Sequence, residues 1–98
     1  MYENLKFYIY GKWIDPAGDT MIDVIDPADE SVAGQVALGN TVDVDKAVAA
    51  ARRAFEDYSQ ASRNDRLALL DRVITEYQKR MPDLASAMSK EMGAPAWL

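Results

Sequence analysis

The sequence of 98 residues contains no cysteine and no histidine. The lack of cysteine excludes a disulfide scaffold, a thiolate zinc site and a cysteine nucleophile within these residues. The lack of histidine removes the side chain that most often acts as a general base near neutral pH. The five glycines do not have the spacing of a G-x-G-x-x-G or Walker phosphate loop. The chain by itself therefore holds few groups suited to catalysis.

Basic residues are also scarce, with 11 Lys and Arg against 16 Asp and Glu and a net charge of −5. Phosphate binding needs clustered Lys and Arg, so we expect no nucleic-acid partner. Residues 1–40 hold most of the imbalance, with two basic and seven acidic side chains. The longest uncharged stretch, residues 31–42, is too short and too polar to cross a bilayer, and the first residues lack a secretory pattern. We expect no membrane association and a cytoplasmic location.

Residues 1–40 are predicted to form strands and turns. An aromatic and β-branched run at residues 7–10, followed by Gly11 and Lys12–Ile14, indicates a tight hairpin. Tyr10 is unusual there, because the residue before such a glycine often needs a positive φ and is commonly Asn. Two further strands are predicted at Thr20–Ile25 and Val32–Leu38. Gly34 inside the last of these indicates a weak point or a bulge.

Residues 41–98 are predicted to form helices. Apolar residues spaced by three and four mark one amphipathic helix over Val44–Tyr58 and another over Leu67–Met81. Thr41 is the expected N-cap of the first helix. The second opens at Ser62, whose spacing to Asp65 resembles a capping box.

The end of the helical region carries two stop signals. Pro82 suits the first turn of a new helix better than a helix interior, so a third helix is predicted from Pro82 to Met92. Gly93 has the position of a residue that ends a helix, and Pro95 blocks continuation. On the outer side of the second helix, Glu76 and Arg80 are spaced for an i,i+4 ion pair.

Together these patterns predict an α+β chain, in which two hairpin-like strand pairs or a small antiparallel sheet precede two or three helices. A hydrophobic content of 49 % is too high for a disordered chain. The sequence finishes on the apolar pair Trp97-Leu98 directly after a helix stop. We therefore expect these residues to be a fragment of a longer protein.

The whole chain resembles the N-terminal segment of the aldehyde dehydrogenase superfamily. The matching stretches lie in the same order and spacing as in that family. They are FYIYGKW at 7–13, IDPADE at 25–30, DVDKAVAAARRAF at 43–55, Ser62, RLALL at 66–70 and EMGAP at 91–95. Tyr10 stands where the family usually has Asn, and Ala94 where it frequently has Lys.

The resemblance implies that residues 1–98 are the N-terminal segment of a Rossmann-like cofactor-binding domain, with 1–40 as strands and 41–98 as helices. The family oxidises an aldehyde to a carboxylic acid with NAD or NADP, using a Cys nucleophile, a Glu and an Asn. A thiolate is required because hydride leaves only after the carbonyl has become tetrahedral. The family motifs that contain the catalytic residues match nothing in this sequence, and neither do the motifs that bind the cofactor. The chain alone is therefore expected to be inactive and to need the remainder of the parent enzyme.

One site is implied within the chain. Some family members hold a monovalent cation, K+ or Na+, between backbone carbonyls and a carboxylate, and the corresponding positions here are Val24, Ile25 and Glu91. Oxygen ligands suit such hard cations. A carboxylate near a helix C-terminus is disfavoured by the helix dipole, and a cation would compensate for it. The alternative is that Glu91 simply caps or solvates the helix end.

Other features have competing interpretations. Arg52 and Arg53 could hold a phosphate, or occupy ordinary solvated helix positions. Tyr8, Tyr10 and Trp13 could stack on bases, or form one packed face of the hairpin. The apolar helix faces could belong to a free-standing module that binds a partner chain, or to a structural fragment. In the last case the exposed faces predict a homo-oligomer.

Overall fold

A computed structural model describes residues 2–98 and contains five strands followed by two helices; Met1, which the sequence analysis included in the strand region, lies outside the described residues. The α+β class and the order of strands before helices are confirmed. The strands are β1 (Tyr2–Asn4), β2 (Phe7–Ile9), β3 (Lys12–Ile14), β4 (Met21–Ile25) and β5 (Val32–Ala37), and the helices are α1 (Thr41–Tyr58) and α2 (Arg63–Met92).

The predicted hairpin is confirmed as the antiparallel pair β2–β3, with Phe7 opposite Ile14. Its turn has positive φ at Tyr10 (52°) and at Gly11 (76°). These angles match a two-residue turn whose twist suits the flanking strands, and a side chain at the first position is strained there. Tyr10 thus accepts the conformation that Asn would adopt more easily.

A second sheet has the order β1-β5-β4. The antiparallel β4–β5 pair agrees with the prediction, but β1 was not predicted and pairs parallel to β5, with Glu3 opposite Gln35. A strand of three residues is too short to show the alternating pattern from which strands are predicted. The bulge expected near Gly34 is present, because the register changes from Val24–Gly34 to Ile25–Val32 and leaves Ala33 as the extra residue.

Helix α1 begins one residue earlier than expected, since Asn40 and not Thr41 is the N-cap. The Asn40 side chain accepts a hydrogen bond from the Asp43 amide (3.2 Å), and the Asp43 carboxylate accepts one from the Asn40 amide (3.0 Å). This reciprocal pair satisfies two helix-end donors, which Thr41 could not do from inside the first turn.

Helix α2 differs most from expectation. Its capping box at Ser62 and Asp65 and its left-handed end at Gly93 (φ 73°) are as predicted. Pro82, however, lies inside one continuous helix, so the predicted third helix does not exist as a separate element. A proline in a helix interior costs roughly 3 kcal/mol relative to alanine. Apolar side chains continue at helical spacing on both sides of Pro82, from Ile74 to Met88, and this pattern favours one continuous helix despite that cost. Glu76 forms an ion pair with Lys79 at 2.8 Å, whereas the sequence predicted a pair with Arg80.

The packed interior of this chain is small. Among the described residues, Ala33 and Ala50 are the buried apolar side chains, and Asp43 is the buried charged one. The radius of gyration is 17.2 Å, whereas a compact domain of about 100 residues has about 13 Å. The shortest dimension is 15 Å, which leaves room for little more than one layer of secondary structure. Because stable domains pack two or more layers around a core, the chain presents one side of a core without its covering layer.

Candidate functional site

The turn between β4 and β5 is held by its own acidic side chains. The Asp26 carboxylate accepts a hydrogen bond from the Ala28 amide at 2.9 Å. One oxygen of Asp29 accepts bonds from the amide and the hydroxyl of Ser31, at 3.0 and 2.6 Å. The hydroxyl and amide of Ser31 hold the pKa of Asp29 below its ordinary value, and the charge of Lys90 on α2 adds to this effect. The turn therefore has a fixed conformation beside the end of α2.

The C-terminal end of α2 touches this turn. A Cβ on Gly93 would lie 3.1 Å from Cγ of Pro27, so the close approach and the positive φ both favour glycine. A groove runs between the two elements. It is lined by Asp26, Ala28, Pro82, Ala85, Ser86, Ser89, Lys90 and Ala96.

The residues predicted to hold a cation lie at the end of β4, directly before this turn, and near the end of α2. Val24 and Ile25 end β4 where its register to β5 shifts. Glu91 lies two positions before Gly93. The contact between Gly93 and Pro27 thus brings the helix end that carries Glu91 to the turn that follows Ile25. Across residues 2–98, no group of three or more His, Cys, Asp or Glu side chains converges as a metal site. A site built from backbone carbonyls and one carboxylate stays a prediction.

A second cluster joins the strand region to α1. The carboxylate of buried Asp43 accepts hydrogen bonds from the Asn40 amide and, at 2.9 Å, from the Ala17 amide, which is 26 residues away in sequence. The bonds from Asn40 and Ala17 hold the pKa of Asp43 below its ordinary value. Asp43 therefore does more than cap α1, because it ties the loop after β3 to the start of the helix. The sequence predicted only the favourable dipole position of this residue.

The aromatic rings of the hairpin contact one another and an arginine of α1. The Tyr8 and Trp13 rings lie 5.1 Å apart with a tilt of 59°. The Arg53 guanidinium lies 4.5 Å from the centre of the Tyr10 ring, and that of Arg52 lies 5.5 Å from the Phe55 ring. The structure therefore engages both arginines in cation–π contacts, and Arg53 links α1 to the hairpin turn.

A row of exposed apolar side chains runs along α2. Its members, named here the α2 stripe, are Leu67, Leu70, Ile74, Tyr77, Met81, Leu84 and Met88. Their exposure ranges from 37 % at Leu84 to 57 % at Leu70, and no residue of the 30-residue helix is buried. On α1, the large apolar side chains Val44, Val48, Phe55 and Tyr58 are exposed to a similar degree, whereas the small Ala50 is buried. An apolar area of this extent is typical of a contact surface.

The last residues of the chain fold back beside the stripe. The Leu98 amide donates a hydrogen bond to the Pro95 carbonyl at 3.0 Å, which closes a turn. Together the tail and the stripe enclose an apolar groove of about 230 Å³. It is lined by Tyr77, Met81, Leu84, Ala85, Met88, Ala94, Pro95, Ala96 and Leu98.

The glycines do not form a dinucleotide cradle in the described part of the chain. Gly11 belongs to the hairpin turn, Gly34 pairs within the sheet, and Gly93 ends α2. Gly18 and Gly39 flank the N-terminus of α1, where added Cβ atoms would meet Asn40 and Asp43. The glycines therefore serve the hairpin turn, the sheet and the helix ends. No helix within residues 2–98 has the length and apolar character needed to span a membrane.

Comparison with known proteins identifies the protein family of this chain. The model of the aldehyde dehydrogenase family matches residues 13–98. The chain belongs to the aldehyde dehydrogenase family, as its sequence motifs predicted. A putative aldehyde dehydrogenase of Staphylococcus aureus strain RF122 is 44 % identical over 95 residues, which are 97 % of this chain and 20 % of that protein. A 3-succinoylsemialdehyde-pyridine dehydrogenase of a Pseudomonas species is 42 % identical over 95 residues, with the same coverage.

Solved structures agree with the sequence relatives. A crystal structure of an aldehyde dehydrogenase from Bartonella henselae matches with a TM-score of 0.95 and 41 % identity, over 98 % of this chain and 20 % of that one. A mutant of aldehyde dehydrogenase C from Pseudomonas syringae, solved with NAD+ and octanal, matches with a TM-score of 0.90 and 44 % identity, over 93 % of this chain and 19 % of its own. The chain thus spans about one fifth of the relatives that it matches.

Proposed function

We propose that this chain is the N-terminal fifth of an NAD(P)-dependent aldehyde dehydrogenase, an oxidoreductase that converts an aldehyde to a carboxylic acid. The observation that carries the proposal is the fit to the Bartonella henselae enzyme, with a TM-score of 0.95 over 98 % of the chain. The Pseudomonas syringae relative with NAD+ and octanal supports NAD or NADP as the cofactor and an aldehyde as the substrate.

The contribution of these residues to the reaction is structural. They contain no cysteine to attack a carbonyl, and their glycines serve turns and caps. The nucleophile, the catalytic glutamate and the cofactor site would then lie in the other four-fifths of an enzyme of this family. The 98 residues alone are expected to be inactive, and the remainder of the parent enzyme is their first partner.

Self-association is the second candidate function, and the exposed apolar faces of α1 and α2 favour it. When the remainder is absent, these faces are expected to be covered by further copies of the chain, giving a homo-oligomer. A free-standing interaction module would instead cover the same faces with a different partner chain. Light scattering over a range of concentrations tests self-association, because a stable monomer at high concentration would contradict it. The net charge of −5 supports the absence of a nucleic-acid partner, and the cytoplasmic location stays a prediction.

A monovalent cation, K+ or Na+, is proposed at the junction of the β4–β5 turn and the end of α2. The carbonyl oxygens of Val24 and Ile25 and the carboxylate of Glu91 would hold it. The contact between Gly93 and Pro27 supports this placement, because it brings the two elements together. Crystals grown in rubidium or thallium salts test the proposal by anomalous scattering. A peak within coordination distance of Glu91 is expected, and a map without one would contradict the site.

The activity is tested with a chimera. The 98 residues replace the matched N-terminal fifth of the Staphylococcus aureus relative, and NADH formation is followed with octanal and NAD+. We expect the chimera to be active and the 98-residue chain alone to be inactive. A soluble but inactive chimera, beside an active natural relative in the same assay, would contradict the proposed function. Turnover by the chain alone would contradict its structural role.

A further inference from the structure

The α2 stripe has the geometry of a docking surface. Its members follow one another at alternating intervals of three and four residues from Leu67 to Met88, so they lie along one face of the helix. At a rise of 1.5 Å per residue this row is about 30 Å long. Each side chain keeps between a third and three-fifths of its surface exposed. No element within residues 2–98 buries the row.

The tail adds shape to this surface. Ala94–Leu98 borders the C-terminal half of the stripe and leaves a groove of about 230 Å³ between Tyr77, Leu84 and Leu98. A groove of this volume has no room for a whole helix, whose diameter is about 10 Å including its side chains. A few inserted side chains or an extended segment would fit. The groove is therefore suited to receive side chains or an extended segment of a partner.

The backbone conformation indicates which partner this is. Over 98 % of its length the chain superposes, with a TM-score of 0.95, on a crystal structure in which it corresponds to only 20 % of the polypeptide. The chain thus has the conformation of one part of a protein about five times longer. With a thickness of 15 Å, it also lacks the covering layer that such a conformation needs.

We infer that the α2 stripe and the adjoining tail groove bind the other four-fifths of an aldehyde dehydrogenase polypeptide, and that they do so without a covalent connection when the two parts are separate chains. This rests on the proposed function, since it assumes that the chain contributes to an enzyme of that family. Burial of about seven large apolar side chains along 30 Å gives the contact its affinity.

The test uses the Staphylococcus aureus relative without the segment that matches this chain. The truncated relative is mixed with the 98-residue chain, or co-expressed with it if the truncated protein is insoluble alone. A one-to-one complex is expected in analytical ultracentrifugation, together with recovery of NAD-dependent oxidation of octanal. Absence of a complex in both formats would overturn the inference. A dimer of the chain that persists in excess truncated relative would assign the surface to a second copy and would also overturn it.

Two variants place the contact on the stripe. Tyr77→Asp and Leu84→Asp put a charge into the groove and are expected to weaken the complex by ~30-fold or more, as at the centre of other interfaces. Thr75→Asp adds the same charge outside the stripe and is the matched control. Far-UV circular dichroism confirms that each variant keeps its helix. Equal affinity for Tyr77→Asp, Leu84→Asp and Thr75→Asp would overturn the assignment of this surface.

The covalent chimera separates this inference from the proposed function. An inactive chimera contradicts the proposed function. An active chimera combined with no association between the separate parts contradicts the docking inference alone. In the chimera, Tyr77→Asp is expected to lower the midpoint of thermal unfolding and Thr75→Asp to leave it nearly unchanged. If both variants shift the midpoint equally, the stripe is not the buried contact.

Discussion

The two helices of this chain both begin with a capping box, but they differ in the contacts that support them. Helix α1 is tied to the strand region through Asp43, which binds the Ala17 amide, and through Arg53, which stacks on Tyr10. Helix α2 has 30 residues against 18 in α1, yet none of its residues is buried. Its contacts lie mainly near its ends, at Arg66 above Tyr58 and at Gly93 beside Pro27. Local capping can thus define a helix whose packing depends on residues outside the chain.

The largest expected effect comes from placing the same charge in each helix. Ala50→Asp puts a carboxylate at a position that is 6 % exposed in α1, whereas Ala68→Asp puts one on the exposed surface of α2. We expect Ala50→Asp to lower the free energy of unfolding by at least about 3 kcal/mol, because a buried charge is unpaired there. Ala68→Asp should cost only about 0.7 kcal/mol, the difference in helix propensity. Urea titrations followed by circular dichroism measure both, and similar losses would contradict the difference between the helices.

Removing the two N-caps compares the helices at their starts. Asn40→Ala and Ser62→Ala each delete one side-chain acceptor and are expected to cost about 1 kcal/mol of helix stability. The Asn40→Ala substitution should also weaken the hydrogen bond of the Ala17 amide, because the amides of Asn40 and Ala17 both donate to the Asp43 carboxylate. Amide exchange of Ala17 should therefore accelerate in Asn40→Ala and stay unchanged in Ser62→Ala. Faster exchange at Ala17 in both variants would show that α2 also supports the strand region.

Acid should loosen α1 through Asp43. Its pKa is lowered in the fold below the ordinary value of 3.8 by the amides of Asn40 and Ala17. The unfolded state therefore binds the proton more readily, and this contribution to stability is present above pH 3.8 and is lost as the pH falls through the lower pKa of the folded state. In Asp43→Asn, this part of the acid dependence should disappear from thermal melts between pH 5 and 2. An unchanged acid dependence in Asp43→Asn would contradict the role of the carboxylate.

Sequence patterns predicted the features that depend on neighbouring residues. The hairpin at Tyr10 and Gly11, the Ser62 cap and the end of α2 at Gly93 all follow from local stereochemistry. The family resemblance was also recognisable from sequence, because its motifs are spread along the whole chain. The implied cation site at Val24, Ile25 and Glu91 rests on that resemblance and stays a prediction.

Features that depend on tertiary contacts were missed. The pairing of β1 with β5 joins distant segments, and a strand of three residues is too short to be predicted from its sequence pattern. The bond from Ala17 to Asp43 spans 26 residues. Pro82 was expected to start a helix because local propensity weighs heavily against an interior proline, yet α2 continues through it. Apolar residues lie at regular spacing on both sides of Pro82, and this long-range pattern was the signal for one helix.

Hydrogen exchange of α2 tests the central claim most directly. The amides of Leu70–Met88 are compared in the dilute 98-residue chain and in the same chain mixed with the truncated relative, with the amides of Val44–Tyr58 as the internal reference. The account predicts that the α2 amides exchange faster than those of α1 in the chain alone, and that they become protected when the truncated relative is added. Equal protection of the two helices in the dilute chain, with no change on mixing, would contradict it.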